Sequence, residues 1–194
     1  MKKIIPIINL AAKFATINRT IGYRDGHLEN DAEHSYQLAL VCWSANEQYK
    51  LGLNNELILK YALVHDLVEV YAGDTDAHDD EQKIAQKKER EEKALEEFKA
   101  DFKFDEITTT IDRYEKKQDV EAQLVYVLDK FIPNTNIYFG QANYYLSRKI
   151  DISTWRKWLN SKIDFDSLNI KLKPLVEESI KEIETSYRDT FYQG

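Results

Sequence analysis

Apolar residues recur at helical spacing along most of the chain. Leu10, Ala11, Phe14 and Ile17 share one face of a predicted helix over 7–18. Leu38, Val41, Cys42, Ala45 and Tyr49 share a face of a second, which opens at Asn30 with Glu33 three residues on, a capping-box arrangement. Leu57, Ile58, Tyr61, Ala62, Val64 and Val68 carry a third from Asn54 or Asn55 through to a stop at Gly73. A charge-dense stretch over 79–103 turns Ile84, Leu95, Phe98 and Phe102 inward and leaves the rest to solvent. A short helix over 105–117 follows, then a nearly all-apolar one over 119–132 that stops before Pro133, and two closing helices over 153–168 and 172–192. Residues 19–29 read as an irregular polar loop, and no segment alternates convincingly with the period of a strand. The pattern predicts an all-α bundle of six to nine helices forming one domain over 1–194.

Polar residues break into these faces at a few places. His34 lies on the inward face of the second helix, His65, Asp66 and Glu69 interrupt the third, and Asp129 sits in the most apolar helix. A buried polar group is costly unless it is paired or bound to something. Imidazole and carboxylate together suit first-row divalent metals. Helix neighbours point about 100° apart, so His65 and Asp66 can straddle an ion between them. Glu69 overlaps the same side, where it could orient or deprotonate a water. Each residue also has a plainer reading. His34 could be a satisfied core histidine, Asp129 a partner of Lys130 or an arginine, and Glu33 either the helix cap or a support for an imidazole. Arg19 and Arg24 could grip phosphate oxygens with their planar forks or simply be solvated.

Composition narrows the field. The chain has 194 residues, 43% of them hydrophobic and 31% charged, as in an ordinary globular protein. The net charge of −7 argues against non-specific nucleic-acid or anionic-membrane binding. It leaves room for an anionic substrate, because a metal and a few arginines can invert the field locally. A single cysteine, Cys42, rules out an internal disulfide and a paired-cysteine zinc site, which fits a cytoplasmic protein. The opening Met1-Lys-Lys-Ile-Ile-Pro6-Ile-Ile-Asn9 has only a faint leader character, and no stretch reaches the roughly 18 apolar residues of a membrane span.

Three blocks in order add a resemblance. They are Ile17-Asn18-Arg19 leading to Glu29-Asn30-Asp31-Ala32-Glu33-His34-Ser35; His65-Asp66-Leu67-Val68-Glu69 leading to Gly73-Asp74-Thr75; and Val120-Glu121-Ala122-Gln123-Leu124-Val125 leading to Leu128-Asp129-Lys130. Together they resemble the HD-domain metal-dependent phosphohydrolases, in the small branch that includes bacterial 5′-deoxynucleotidases. The resemblance implies one divalent metal (Mn, Co, Fe, Mg or Zn) held by His34, His65, Asp66 and Asp129. It implies Glu69 and Asp74 as catalytic groups and Arg19, with Arg24 and Lys130 as further candidates, on the substrate phosphate. It implies a nucleotide or other small phosphate ester as substrate, a homodimer, and no nucleic-acid or membrane partner. Two positions depart from the deoxynucleotidases. Thr20 stands where they carry a tryptophan that helps choose the sugar, and Thr75-Asp76-Ala77-His78-Asp79 replaces a proline-containing turn. A triphosphate hydrolase on the same scaffold, and a non-catalytic metal-binding regulator, are the competing expectations.

Overall fold

The computed structural model describes residues 4–23, 25–73, 81–102, 105–140 and 143–193. Among these residues the fold is all-α apart from one short hairpin. Helix α1 (Ile5–Phe14) starts with Pro6 in its first turn, where a missing N–H costs nothing, and buries Leu10 and Phe14. Strands β1 (Asn18–Gly22) and β2 (Leu28–Asn30) then pair antiparallel. The predicted loop over 19–29 is thus corrected to a hairpin. With five and three residues, its strands are too short for period-two alternation to stand out.

Helix α2 (Asp31–Gln48) is capped as expected: the Asn30 side chain accepts from Ala32 N and Glu33 N, while Glu33 Oε2 accepts from Asn30 N at 3.1 Å. Asn46 ties down the turn that follows, accepting from Leu53 N and donating to Leu53 O, each at 3.0 Å. The predicted third helix divides. Helix α3 (Asn55–Val64), capped by Asn54, ends one residue before His65, and α4 (Glu69–Ala72) begins at Glu69. Between them the backbone tightens to bonds three residues apart, Leu67 N to Val64 O and Glu69 N to Asp66 O. Such a link keeps nearly the apolar spacing of an α-helix, which hides the break in the sequence.

Helices α5 (Glu81–Asp101) and α6 (Asp105–Glu115) match their predicted spans closely. Helix α7 (Val120–Phe139) does not stop at Pro133 but runs through it. Proline has no N–H for the Asp129 carbonyl one turn back. Burial of Phe131, Ile132 and Ile137 on either side keeps the segment helical regardless. Helices α8 (Asn143–Ser147), α9 (Ile152–Lys162) and α10 (Lys173–Ser186) complete the bundle. No helix among the described residues is long and apolar enough to cross a membrane.

Two apolar clusters form the interior. The larger joins α2, α3, α7, α9 and α10 around Leu38, Ile58, Leu124 and Trp155; the smaller gathers Leu10, Phe14, Val64, Leu67, Phe98 and Ile111 from α1, α3–α4, α5 and α6. Tyr61 and Ala62 belong to the larger cluster, Val64 and Leu67 to the smaller. His65 and Asp66 therefore emerge at the seam between them.

Candidate metal centre

Four side chains from three places in the chain converge on this seam. His34 comes from the second turn of α2, His65 and Asp66 from the α3–α4 link, and Asp129 from the middle of α7. Each offers a ligand atom, and the four atoms lie within 4.8 Å of one another. His34 Nε2 hydrogen-bonds Asp129 Oδ1 at 2.9 Å. His65 Nε2 lies 3.0 Å from Asp66 Oδ2 and 3.9 Å from Asp129 Oδ1. His34, His65 and Asp129 are buried, and Tyr114 closes the side with its ring edge-on to His65.

The chemistry of this donor set fits a divalent ion. The Ala62 carbonyl accepts from His65 Nδ1 at 3.0 Å, which places the ring proton on Nδ1 and leaves Nε2 as a lone pair. That Nε2 is buried and makes no hydrogen bond, although two carboxylates stand beside it. A lone pair aimed at carboxylates is poorly served by them and well served by a cation.

Within the protein itself, His34, Arg19 and Lys130 offset the charge of the carboxylates. Burial and the Arg19 charge pull the His34 pKa down, but the hydrogen bond to Asp129 and the nearby Glu29 outweigh them, and it rises to about 9. Burial works to raise Asp129, yet Lys130 and the two histidines hold it well below the usual carboxylate range. Asp66 is held low in the same way, by His65 and Arg19 against burial and the Asp129 charge.

Around the four lies a belt of further charge. Arg19 points inward from β1: its Nη1 is 3.1 Å from Asp66 Oδ2 and 3.4 Å from Asp31 Oδ1, and its Nε is 3.3 Å from Glu29 Oε2. Glu69, the first residue of α4, is buried, and one of its carboxylate oxygens lies within 4.8 Å of an oxygen each of Asp31 and Asp66. Lys130 Nζ is paired with Asp129 Oδ2. Glu33 acts as the cap of α2, with its side chain 41% exposed. Arg24, Asp74 and His78 lie outside the described residues. Sequence reasoning missed Glu29 and Asp31, both fully buried. Beyond Pro133 the chain carries an aromatic run that includes Tyr138-Phe139 and Tyr144-Tyr145. Of that run, Tyr145 is core, stacked on Phe191 and bonded to Asn134, while Tyr138 stacks on Tyr187.

A family model described as HD domain matches residues 11–169. The chain belongs to the HD-domain family. The matched span carries all four converging residues, including the adjacent His65-Asp66 pair. In fold, this HD-domain protein is similar to a protein of Magnetospirillum magnetotacticum MS-1, with a TM-score of 0.77 and 24% identity over 98% of this chain and 94% of that one. That protein is described as a predicted metal-dependent phosphohydrolase. A second similar structure is a conserved hypothetical protein from Pyrococcus furiosus, with a TM-score of 0.57 and 28% identity over 91% of this chain and 99% of that one. No curated protein matches the chain.

Proposed function

We propose that this HD-domain protein is a metal-dependent phosphohydrolase that acts on a small phosphate ester, best read as a 5′-nucleotidase releasing phosphate from (deoxy)nucleoside monophosphates. The observation that carries the reading is the convergence of His34, His65, Asp66 and Asp129 beside an inward-pointing arginine. The four would hold one divalent ion. Bound there, such an ion would supply Lewis acidity toward a phosphoryl oxygen and acidify a water.

The chain's own residues have distinct tasks. Asp66 and Asp129 hold negative charge through the neutral range, because their pKa values are depressed. Arg19 Nη1, already at the edge of the cluster on Asp66, is the group that takes a non-bridging phosphate oxygen. Glu69 accepts the proton of the attacking water at its carboxylate. Asp74 is a second acid or base in the proposal, and Arg24 and Lys130 further phosphate contacts. The fold similarity to a predicted metal-dependent phosphohydrolase supports the reaction class. The monophosphate preference and the nucleotide rest on the resemblance of the three motif blocks taken together, and Thr20 and the 75–79 segment weigh against them. A homodimer belongs to the same proposal: Tyr36, Leu40 and Trp43 lie exposed along α2 at spacings of four and three, a stripe that suits a second copy.

The test is to load the protein in turn with Mn, Co and Mg and incubate it with dAMP, AMP and dATP, separating products by chromatography. Nucleoside and phosphate from the monophosphates is the expected result. Tripolyphosphate or pyrophosphate from dATP would instead favour the triphosphatase. A protein that holds metal yet turns over none of the three would contradict the nucleotidase reading.

A further inference from the structure

His65 and His34 present the same nitrogen, Nε2, to the cluster, and each has an Nδ1 on its far side. For His65 that atom is secured by the Ala62 carbonyl. For His34 it faces Glu29 Oε1 at 3.6 Å, without a hydrogen bond. Glu29 lies on β2, five residues before His34, and is fully buried. A buried carboxylate is costly and is kept only where partners compensate it.

Its partners come from α7 and from the hairpin that carries it. Asn136 Nδ2 on α7 donates to Glu29 Oε1 at 2.8 Å, and the Tyr23 hydroxyl donates to the same oxygen at 3.2 Å. The Asn136 amide is itself fixed, exchanging hydrogen bonds of 2.9 Å with the Gln37 amide of α2. The other oxygen, Oε2, stands 3.3 Å from Arg19 Nε on β1. One carboxylate thus faces both the first histidine of the candidate metal centre and the candidate phosphate-binding arginine. Its own orientation is set from α7.

The geometry points to Glu29 as a positioning residue that acts through both groups. It holds the His34 proton on Nδ1, so that Nε2 stays a lone pair toward the metal, and it holds the Arg19 fork edge-on, so that Nη1 reaches the phosphate. Metal-bound histidines commonly give their second N–H to a carboxylate, and losing that partner weakens metal binding. This inference rests on the metal-centre reading above. It adds that metal affinity and phosphate affinity share one support.

The experiment is calorimetric titration of cobalt(II) into wild-type, Glu29→Gln and Asn136→Ala protein, followed by inorganic phosphate into each cobalt-loaded form, with a thermal melt of all three. Gln keeps the shape and still accepts from Asn136 and Tyr23, but it carries no charge, so it holds the His34 proton and the Arg19 guanidinium more weakly. Glu29→Gln is expected to weaken cobalt binding by about 10–100-fold, with phosphate binding weakened in the same variant. Asn136→Ala, which frees the Glu29 carboxylate to turn, is expected to weaken cobalt binding by a smaller factor than Glu29→Gln. Undiminished cobalt affinity in Glu29→Gln, with wild-type protein binding normally, overturns the role of Glu29 alone. Wild-type protein that takes up no cobalt overturns the metal centre and Glu29's role with it. Should Glu29→Gln fail to fold, nitrogen-15 NMR of zinc-loaded wild-type protein decides. A proton on His34 Nδ1 and none on Nε2 is expected, and the reverse overturns the inference.

Discussion

His34 holds a proton in the metal-free protein that it would not hold in solution at neutral pH. Its pKa of about 9 stands above the ordinary 6.5, so the folded state binds a proton that the unfolded chain releases. By linkage, this contribution to stability is complete below the unfolded pKa and fades as pH rises through the folded one. The metal-free protein is therefore expected to lose stability between about 6.5 and 9. Urea unfolding across that range measures it, and stability rising with pH there would contradict the assignment. A metal on Nε2 displaces the same proton. Metal uptake between those pH values should release close to one proton from this site, visible as a dependence of the binding heat on the buffer's ionisation enthalpy. Lys130 makes a second prediction. Its ammonium neutralises the buried Asp129 from the outer side. Lys130→Met strands that carboxylate and should destabilise metal-free protein by about 3 kcal/mol, with a smaller loss when metal is bound. Equal losses in both forms would mean that no cation reaches Asp129.

Elements carry these residues into place, and here the sequence was legible in part. His34, His65, Asp66 and Asp129 could be singled out because each is a polar residue on an otherwise apolar helical face. The Asn30 cap could be read because both of its partners lie within three residues. Glu29 escaped notice because nothing local marks it. Its compensation comes from Arg19, Tyr23 and Asn136, which only the folded chain assembles. Pro133 misled because tertiary burial overrides a local helix breaker. The approach of α7 to β1 was equally invisible. A Cβ placed on Gly140, at the end of α7, would sit 2.1 Å from the Gly22 carbonyl oxygen, which is backbone and cannot step aside. Gly140→Ala should therefore cost about 1–3 kcal/mol and push β1, with Arg19 on it, away from the cluster. A melting temperature and phosphate affinity both unchanged in that variant would refute the contact. Asn30→Ala, which removes the α2 cap one turn before His34, should cost about 1 kcal/mol.

At the scale of the whole molecule, the candidate metal centre lies where the two apolar clusters meet. His34 and Asp129 belong to the helices of the larger one, and His65-Asp66 to the link that leads into the smaller. An ion bound there would couple the two. Ligand binding to the native state alone stabilises by about 2.7 kcal/mol at a hundredfold excess over Kd. For a chain of this length that is a rise of roughly 5–10 °C in Tm. Chelation should reverse the shift, and a Tm indifferent to both cobalt and chelator would argue against a metal at the seam.

Arg19, the proposed phosphate-binding residue, is already engaged within the protein. Its guanidinium stands among Glu29, Asp31 and Asp66, so most of its positive charge is balanced before any phosphate arrives. An arginine in that state orients a phosphate more than it traps one. The consequence concerns the end of the cycle. If the proposed monophosphate reaction holds, its product, inorganic phosphate, should leave readily and inhibit only weakly, so turnover would not be throttled by it. Asp31→Asn, which releases one of the three counter-charges, should tighten phosphate binding and turn this fast-releasing site into one slowed by its own product.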